Sequence, residues 1–313
     1  MAVRCTPALV LCVLLATQAV LRADELPPGS LDPGRVAWKE LRFAARKMGI
    51  SATVDVRIEV GPASPARLPG VILDSTSHLP GRTFLAHERL DGADARARQI
   101  VDTEVGAKDH RKTYTPTARG FLFDLVEPAS HAERALAPEG WTQRTRTFTV
   151  YPRALPDGAA ITGPAGLLYA ASAGAMAAPG DSLTAFVLVR TQVERVTLRV
   201  EGVEQVPLDF QEDSGASVTA VKATLAALRI VARSQPVDPS SGSAFRIFGL
   251  EGDVEILWDP ARRIPVELTG NVRMLGRVEV RLVSVTLRAG GPASAPPSHP
   301  DALDPASPPA RRE

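Results

Sequence analysis

Few residues in this chain have the types and spacing to do chemistry. There are five histidines, His78, His87, His110, His131 and His299. No two stand at the H-x-x-x-H spacing that sets two ring nitrogens on one helix face, and no cysteine lies near enough to complete a zinc set. His78 and His87 flank "LPGRTFLA" as cross-strand neighbours would. Two cross-strand histidines could share a metal, but the preferred reading is ordinary surface histidines. Asp74, Ser75 and His78 fall close together, yet a nucleophile triad is assembled in space and not along the chain. A G-x-S-x-G elbow, an S-x-x-K pair, a G-x-G-x-x-G turn and a P-loop are all missing from the sequence. The expectation is therefore no catalytic set, no metal and no cofactor.

In "WDPARRIPVEL", 258 to 268, a Trp, an Asp-Pro, a pair of arginines and a second Pro sit together between two apolar runs. "DVEILW", 253 to 258, reads as a strand with Val254, Ile256 and Trp258 on one face. Asp259-Pro260 starts a turn, because Asp accepts bonds from the backbone ahead of it and Pro presets φ. "IPVEL", 264 to 268, returns with Val266 and Leu268 inward. Pro265 lacks an N–H, which places it at a strand start or an edge. On this reading Arg262 and Arg263 are solvated charges at a hairpin tip or just past it, a ligand or anion contact being the alternative, and Glu255 and Glu267 point to water.

The ends of the chain differ from its middle. Arg4, the apolar run "ALVLCVLLATQAV" from 8 to 20, and small residues at Ala19 and Ala23 read as an export signal over 1–23, cut after Ala23. The run is too short to span a bilayer, which takes about 20 residues. Both cysteines, Cys5 and Cys12, leave with it, so the mature chain has no disulfide or thiolate. Residues 24–35 read as a linker. The last 25, "AGGPASAPPSHPDALDPASPPARRE" from 289, are a disordered Pro/Ala-rich tail that cannot bury enough surface to offset ordering.

Between the ends, 36–288 is long enough for one sizeable β domain or two small ones, and is read as one. Without the signal's Arg4 and Arg22, the 36 basic residues fall to 34 against 35 acidic ones. No basic block stands out, which argues against nucleic acid as a partner. Period-2 alternation dominates. Val54, Val56, Ile58 and Val60 share a face in "ATVDVRIEV", and Val196, Leu198 and Val200 do so in "ERVTLRV". In "RVEVRLVSVTL", 277 to 287, the apolar parity moves from Val278, Val280 and Leu282 to Val283, Val285 and Leu287. That shift predicts a bulge near Leu282-Val283. Further strands are expected at 83–90, 97–105, 119–126, 143–150, 183–190, 217–223, 226–232 and 244–249. The stretch 35–49 fits a helix or a strand, and the strand at 41–47 is preferred because Gly49 then turns the chain. "GLLYAASAGAMAAPGD", 166 to 181, is a helix candidate stopped by Pro179-Gly180. The Pro/Gly-rich segment 151–166 either divides the β region into halves or is a long connection across one curved sheet or barrel, and it is not read as a domain boundary. The fold class is mainly β: an antiparallel curved sheet or open β-barrel with one or two short helices.

Two stretches, "GDSLTAFVLVRTQVERVTLRVEGVEQV" from 180 and "GDVEILWDPARRIPVELTGNVRMLGRVEVRLVSV" from 252, resemble the DUF3108 domain family, bacterial exported proteins of unknown function. The resemblance rests on Gly180, Asp181, Gly202, Glu204, Trp258, Asp259, Arg263, Pro265, Val266, Gly276 and Val278. "LRFAARKMGISATVDVRIE", 41 to 59, looks like the family's opening hairpin. The likeness is thin from 61 to 165, and it departs at 167–178 and 207–216. It implies a β-rich exported domain and brings no activity and no catalytic residues.

Three functions are consistent with this reading. The first is a non-enzymatic protein of the periplasm or cell exterior whose curved sheet holds an apolar or amphipathic, lipid-like ligand. The second is an envelope assembly protein acting through sheet edges and tail. The third is a hydrolase with dispersed acidic and His residues. A large lined cavity favours the first over the second, and His with Asp or Glu in a cleft favours the third.

Overall fold

The computed structural model describes residues 30–62 and 69–288. The expected signal 1–23, the linker up to residue 29, and the expected tail 289–313 with His299 lie outside the described residues.

The described residues form sixteen strands. The first eight are β1 (Trp38–Lys47), β2 (Ile50–Val60), β3 (Gly70–Leu79), β4 (Arg82–Asp91), β5 (Ala97–Val105), β6 (His110–Pro116), β7 (Gly120–Glu127) and β8 (Gln143–Val150). The rest are β9 (Ile161–Thr162), β10 (Ser182–Val189), β11 (Gln192–Asp213), β12 (Val218–Pro236), β13 (Arg246–Ile247), β14 (Leu250–Asp259), β15 (Ile264–Val272) and β16 (Gly276–Leu287). Among the described residues there are also two short α-helices, α1 (His131–Arg134) and α2 (Gly166–Ala173). The expected class, a mainly β curved sheet with one or two short helices, is what the chain adopts.

All strands belong to one sheet. β8 to β1 run as a meander, β1 pairs with β16, and the order continues β15, β14, β12, β11, β10, β9. The 151–166 segment thus carries the chain from one edge of the sheet, at β8, to the other, at β9. A second pairing closes part of the sheet on itself. The far end of β11 lies parallel to β16, Gln211 to Asp213 against Ser284 to Thr286. The strands β16, β15, β14, β12 and β11 therefore form a ring, in which no edge is left open.

The alternation predicts the inner face well. Val54, Val56 and Ile58 are buried, as are Val196, Leu198 and Val200. The strand reading of 41–47 also holds. Met48 and Gly49 both have positive φ, 52° and 79°, and Lys47 pairs with Ile50, as a two-residue hairpin of the primed type requires. The bulge falls where parity shifts: Arg42 faces Ser284 and Phe43 faces Leu282, so Val283 is the extra residue.

Several expectations need correction. The strands expected at 217–223 and 226–232 are one strand, β12, and 194–200 is only the first part of β11. These strands are continuous because their outer halves pair with each other along the whole hairpin. The region 244–249 holds only the short β13 and its turn. β3 and β6 were not expected, because polar residues interrupt their alternation. The helix in 166–181 ends at Ala173, where Gly174 breaks it. Residues at the end of the expected linker are packed: Leu31 is buried and its N–H donates to the Ala93 carbonyl at 3.0 Å.

α2 is buried on every side, as an interior helix must be if it is apolar all round. It sits at one end of the curled sheet. Trp38 Nε1 donates to Ser172 Oγ at 3.0 Å, and Tyr169 O–H donates to the Gly92 carbonyl. The strand directions set the turns β1–β2, β3–β4, β5–β6, β10–β11, β13–β14 and β15–β16 at the opposite end.

Candidate functional site

The 258–268 stretch closes the α2 end. Trp258 and Asp259 are fully buried. Asp259 accepts from the N–H groups of Ala261 and Arg262 at 2.9 and 3.1 Å, the turn-capping role expected of it. The arginines, however, are not solvated. Arg262 donates to Glu212 Oε2 at 2.6 Å and to Asp259 Oδ2 at 2.9 Å, and its guanidinium lies 5.8 Å from the centre of the Phe210 ring. Its side chain is only 14 % exposed. Arg263 adopts φ 57° and donates to the carbonyls of Ser172, at 2.6 Å, and Gly174. Ser172 Oγ donates back to the Arg263 carbonyl at 3.1 Å. The turn was expected in water, but the long β11–β12 hairpin folds over one side of it and α2 packs on the other. Glu267 is likewise mostly covered, beside Arg281 at 3.0 Å, and Glu255 bonds Arg277 at 2.9 Å.

The other residues of the resemblance have local structural roles. Gly180 has φ 99°, and Asp181 accepts from the N–H groups of Ala177 and Ala178 at 2.8 Å each. Gly202 follows the bulge between Val200 and Gly202, and Glu204 is exposed. Pro265 faces Trp258 across the hairpin, with Val266 bulged and buried. Gly276 has φ 69° in the β15–β16 turn, and Val278 faces inward. They mark turns and bulges, and are not gathered at one site.

The histidines and the Asp74-Ser75-His78 group do not assemble a triad. Asp74 Oδ1 meets His87 Nδ1 at 2.7 Å, and His78 Nδ1 meets Thr83 Oγ1 at 3.3 Å. Ser75, one residue out of phase, faces the other side of the sheet and lines a cavity. His78 and His87 are paired with different residues, and no cluster of three metal-ligating side chains occurs among the described residues.

That cavity, of about 470 Å³, lies between α2 and the turns at the opposite end. The inner faces of β1 to β6 make one side. The end of β10 and the strands β13 to β16 make the other, so the two halves of the sheet face each other across it. Val54, Leu188, Phe248, Leu250, Val278 and Val280 supply much of the apolar lining. Phe248 stacks on Phe43, ring centres 6.5 Å apart.

One strip of the wall is polar. Ser75 and Ser77 on β3, Glu88 on β4, Asp102 and Glu104 on β5, and His110 and Lys112 on β6 all line the cavity. Across the β5–β6 ladder, Asp102 faces Lys112 and Glu104 faces His110. Glu104 Oε1 has no hydrogen-bond partner, Arg82 standing 3.9 Å away. Burial pushes the Asp102 carboxyl up to about 6, against the pull of Lys112. Burial, then Lys112, holds the His110 imidazole below its ordinary value, and its Nδ1 lies 2.8 Å from the Lys108 carbonyl.

Glu88 forms the floor. It is 1 % exposed, and its two oxygens accept from the N–H groups of Ala165 and Gly166 at 2.9 Å each, at the start of α2. Orphan N–H groups at a helix start are natural partners for an anion. Burial nevertheless pushes this carboxyl up to about 8. The fit is close: a Cβ on Gly163 would overlap the Glu88 carboxyl, and one on Gly166 would overlap Thr162 Oγ1. The glycines of "TGPAG" let α2 rest on a strand side chain.

Reasoning from sequence missed this strip. The signal was present as charge on the apolar phase of a strand. Glu88 shares parity with Ala86 and Leu90, Asp102 and Glu104 with Ile100, and Lys112 with Tyr114. No helix among the described residues is long and apolar enough to cross a membrane.

No protein-family profile matches the chain, and no curated protein matches it. Among solved structures, a beta-barrel-like protein of the domain of unknown function DUF1849 from Brucella abortus is similar, with 11% identity, a TM-score of 0.43, and coverage of 81% of this chain and 99% of that one. The barrel character described above rests on this chain's own strand pairing.

Proposed function

We propose that this protein is a non-enzymatic carrier that holds one amphipathic, lipid-like ligand in the cavity, its apolar part against β13 to β16 and its polar groups along the β3 to β6 strip. The observation that carries the reading is the combination of a cavity of about 470 Å³ with an inward polar strip in which Glu104 Oε1 has no hydrogen-bond partner. A barrel filled only for stability would place apolar side chains there, since an unsatisfied buried polar group costs roughly 1–3 kcal/mol. A cavity of several hundred cubic ångströms, apolar with a few polar groups, is the form of a small-molecule site. The signal-like residues 1–23 support an exported protein, as does the resemblance of residues 180–206 and 252–285 to the exported DUF3108 family.

Native mass spectrometry of protein purified from its own cells tests it. A stoichiometric adduct of several hundred daltons that leaves on gentle activation is the expected result. A bare chain, with no amphiphile taken up on incubation, contradicts it.

A second reading is favoured by one feature, the cross-strand pair Glu104–His110 beside Asp102 in the cavity. Acid–base groups in a cleft are the raw material of a hydrolase. The same experiment separates the two: a carrier returns its ligand unchanged, whereas a hydrolase returns cleavage products.

A further inference from the structure

The cavity opens among hairpin turns whose tips are unusual. Six non-glycine residues among those described have positive φ, and four of them, Met48, Arg190, Phe248 and Met274, lie in these turns. Turn positions with positive φ favour Asn, Asp or Gly, because a larger side chain crowds the backbone. Here Met48, at φ 52°, and Met274, at φ 72°, occupy such positions with 80% and 96% of their surfaces exposed. Neither local conformation nor burial accounts for a bulky apolar side chain at either tip. A backbone outlier of this kind is a pointer to function.

The two tips are neighbours. β1 ends where β16 begins, Phe43 facing Leu282 and Ala44 facing Arg281, and Lys47 Nζ donates to the Arg277 carbonyl. Cations stand around them. Lys47, Arg190 and Arg273 line the opening, whereas Arg246 and Arg277 nearby are paired with Glu251 and Glu255. Just inside the tips, the lining is apolar at Ile50, Phe248 and Leu275.

We propose that this end docks on an anionic lipid bilayer, Met48 and Met274 entering the interface and Lys47, Arg190 and Arg273 meeting the headgroups. Exposed apolar tips ringed by Lys and Arg combine the two contributions that hold proteins at such surfaces, burial of apolar area and attraction to anionic lipid. The occupant is argued from that charge complementarity and from continuity with the cavity, so this inference rests in part on the carrier reading: an amphiphile leaving the bilayer between these tips would meet apolar wall at once.

Cosedimentation with vesicles tests it, using phosphatidylglycerol mixed with phosphatidylcholine against phosphatidylcholine alone. The protein should bind the anionic vesicles, weakly or not at all the neutral ones, and lose binding as salt rises. Met48→Asn with Met274→Asn should reduce binding at least tenfold. It should leave the melting temperature unchanged or raise it, since Asn suits positive φ. Ala86→Trp, which obstructs the cavity, should bind vesicles normally, so failed docking and a failed carrier reading give different results. Wild-type protein that ignores anionic vesicles, or a double variant that binds as well as wild type, overturns the proposal. Self-association abolished by the double variant, without vesicle binding, overturns it in favour of a second copy of the chain.

Discussion

Arg262 bridges two distant parts of the chain by donating to Glu212 Oε2 at 2.6 Å from the turn between β14 and β15. Glu212 is one of the three β11 residues that pair with β16. The bond therefore locks the closure of the five-strand ring at the point where the hairpin crosses the turn. Arg262→Ala should cost about 2 kcal/mol or more, since removing one partner of a covered pair leaves the other unsatisfied. Val266→Ala, at a buried position of the same hairpin, should cost about 1–3 kcal/mol. Chemical denaturation of the single variants and of Arg262→Ala with Glu212→Ala should give a coupling of about 1 kcal/mol or more. Additive effects would show the bridge to be incidental.

Stability should fall as pH rises towards 8. Glu88 is raised from 4.5 to about 8 in the folded state. Below 4.5 both states are protonated, and between the two values the folded state keeps a proton that the unfolded chain has lost. Stability then falls with rising pH, by at most about 1.4 kcal/mol per unit, and levels off above the folded value. Asp102, raised to about 6, acts in the same direction over a lower window, and His110, lowered, acts in the opposite one below its ordinary value. Between pH 6.5 and 8 the slope should belong mainly to Glu88. Urea titrations across that range should show it flattened in Glu88→Gln, and an unchanged slope would remove Glu88 as its source.

Gly163→Ala should destabilise the fold without touching the apolar lining. The added methyl would overlap the Glu88 carboxyl, and overpacking at such a contact costs roughly 1–3 kcal/mol. Thermal unfolding checks it. Gly158→Ala, where no atom crowds the new methyl, controls for loss of glycine, although φ 75° there adds its own strain.

How far the sequence could be read depended on how local each feature is. The β1–β2 hairpin and the bulge at Val283 follow from the side-chain phase of single strands, and both were legible. The burial of Arg262 was not, because its partner Glu212 is fifty positions away and nothing local distinguishes a tip charge in water from one under another hairpin. The polar strip lay between these cases. Glu88, Asp102 and Lys112 each break the apolar phase of their own strand, but only the β4–β5–β6 register brings them to one wall.

The central claim is that the cavity takes an amphiphile, and titration with the fluorescent probe N-phenyl-1-naphthylamine tests it most directly. The account predicts saturable, blue-shifted binding of one probe per chain, displaced by a long-chain fatty acid. It also predicts that affinity falls at least tenfold in Ala86→Trp, whose new ring occupies the cavity, while the melting temperature holds or rises. Absence of saturable binding, or equal binding by wild type and Ala86→Trp, would contradict it.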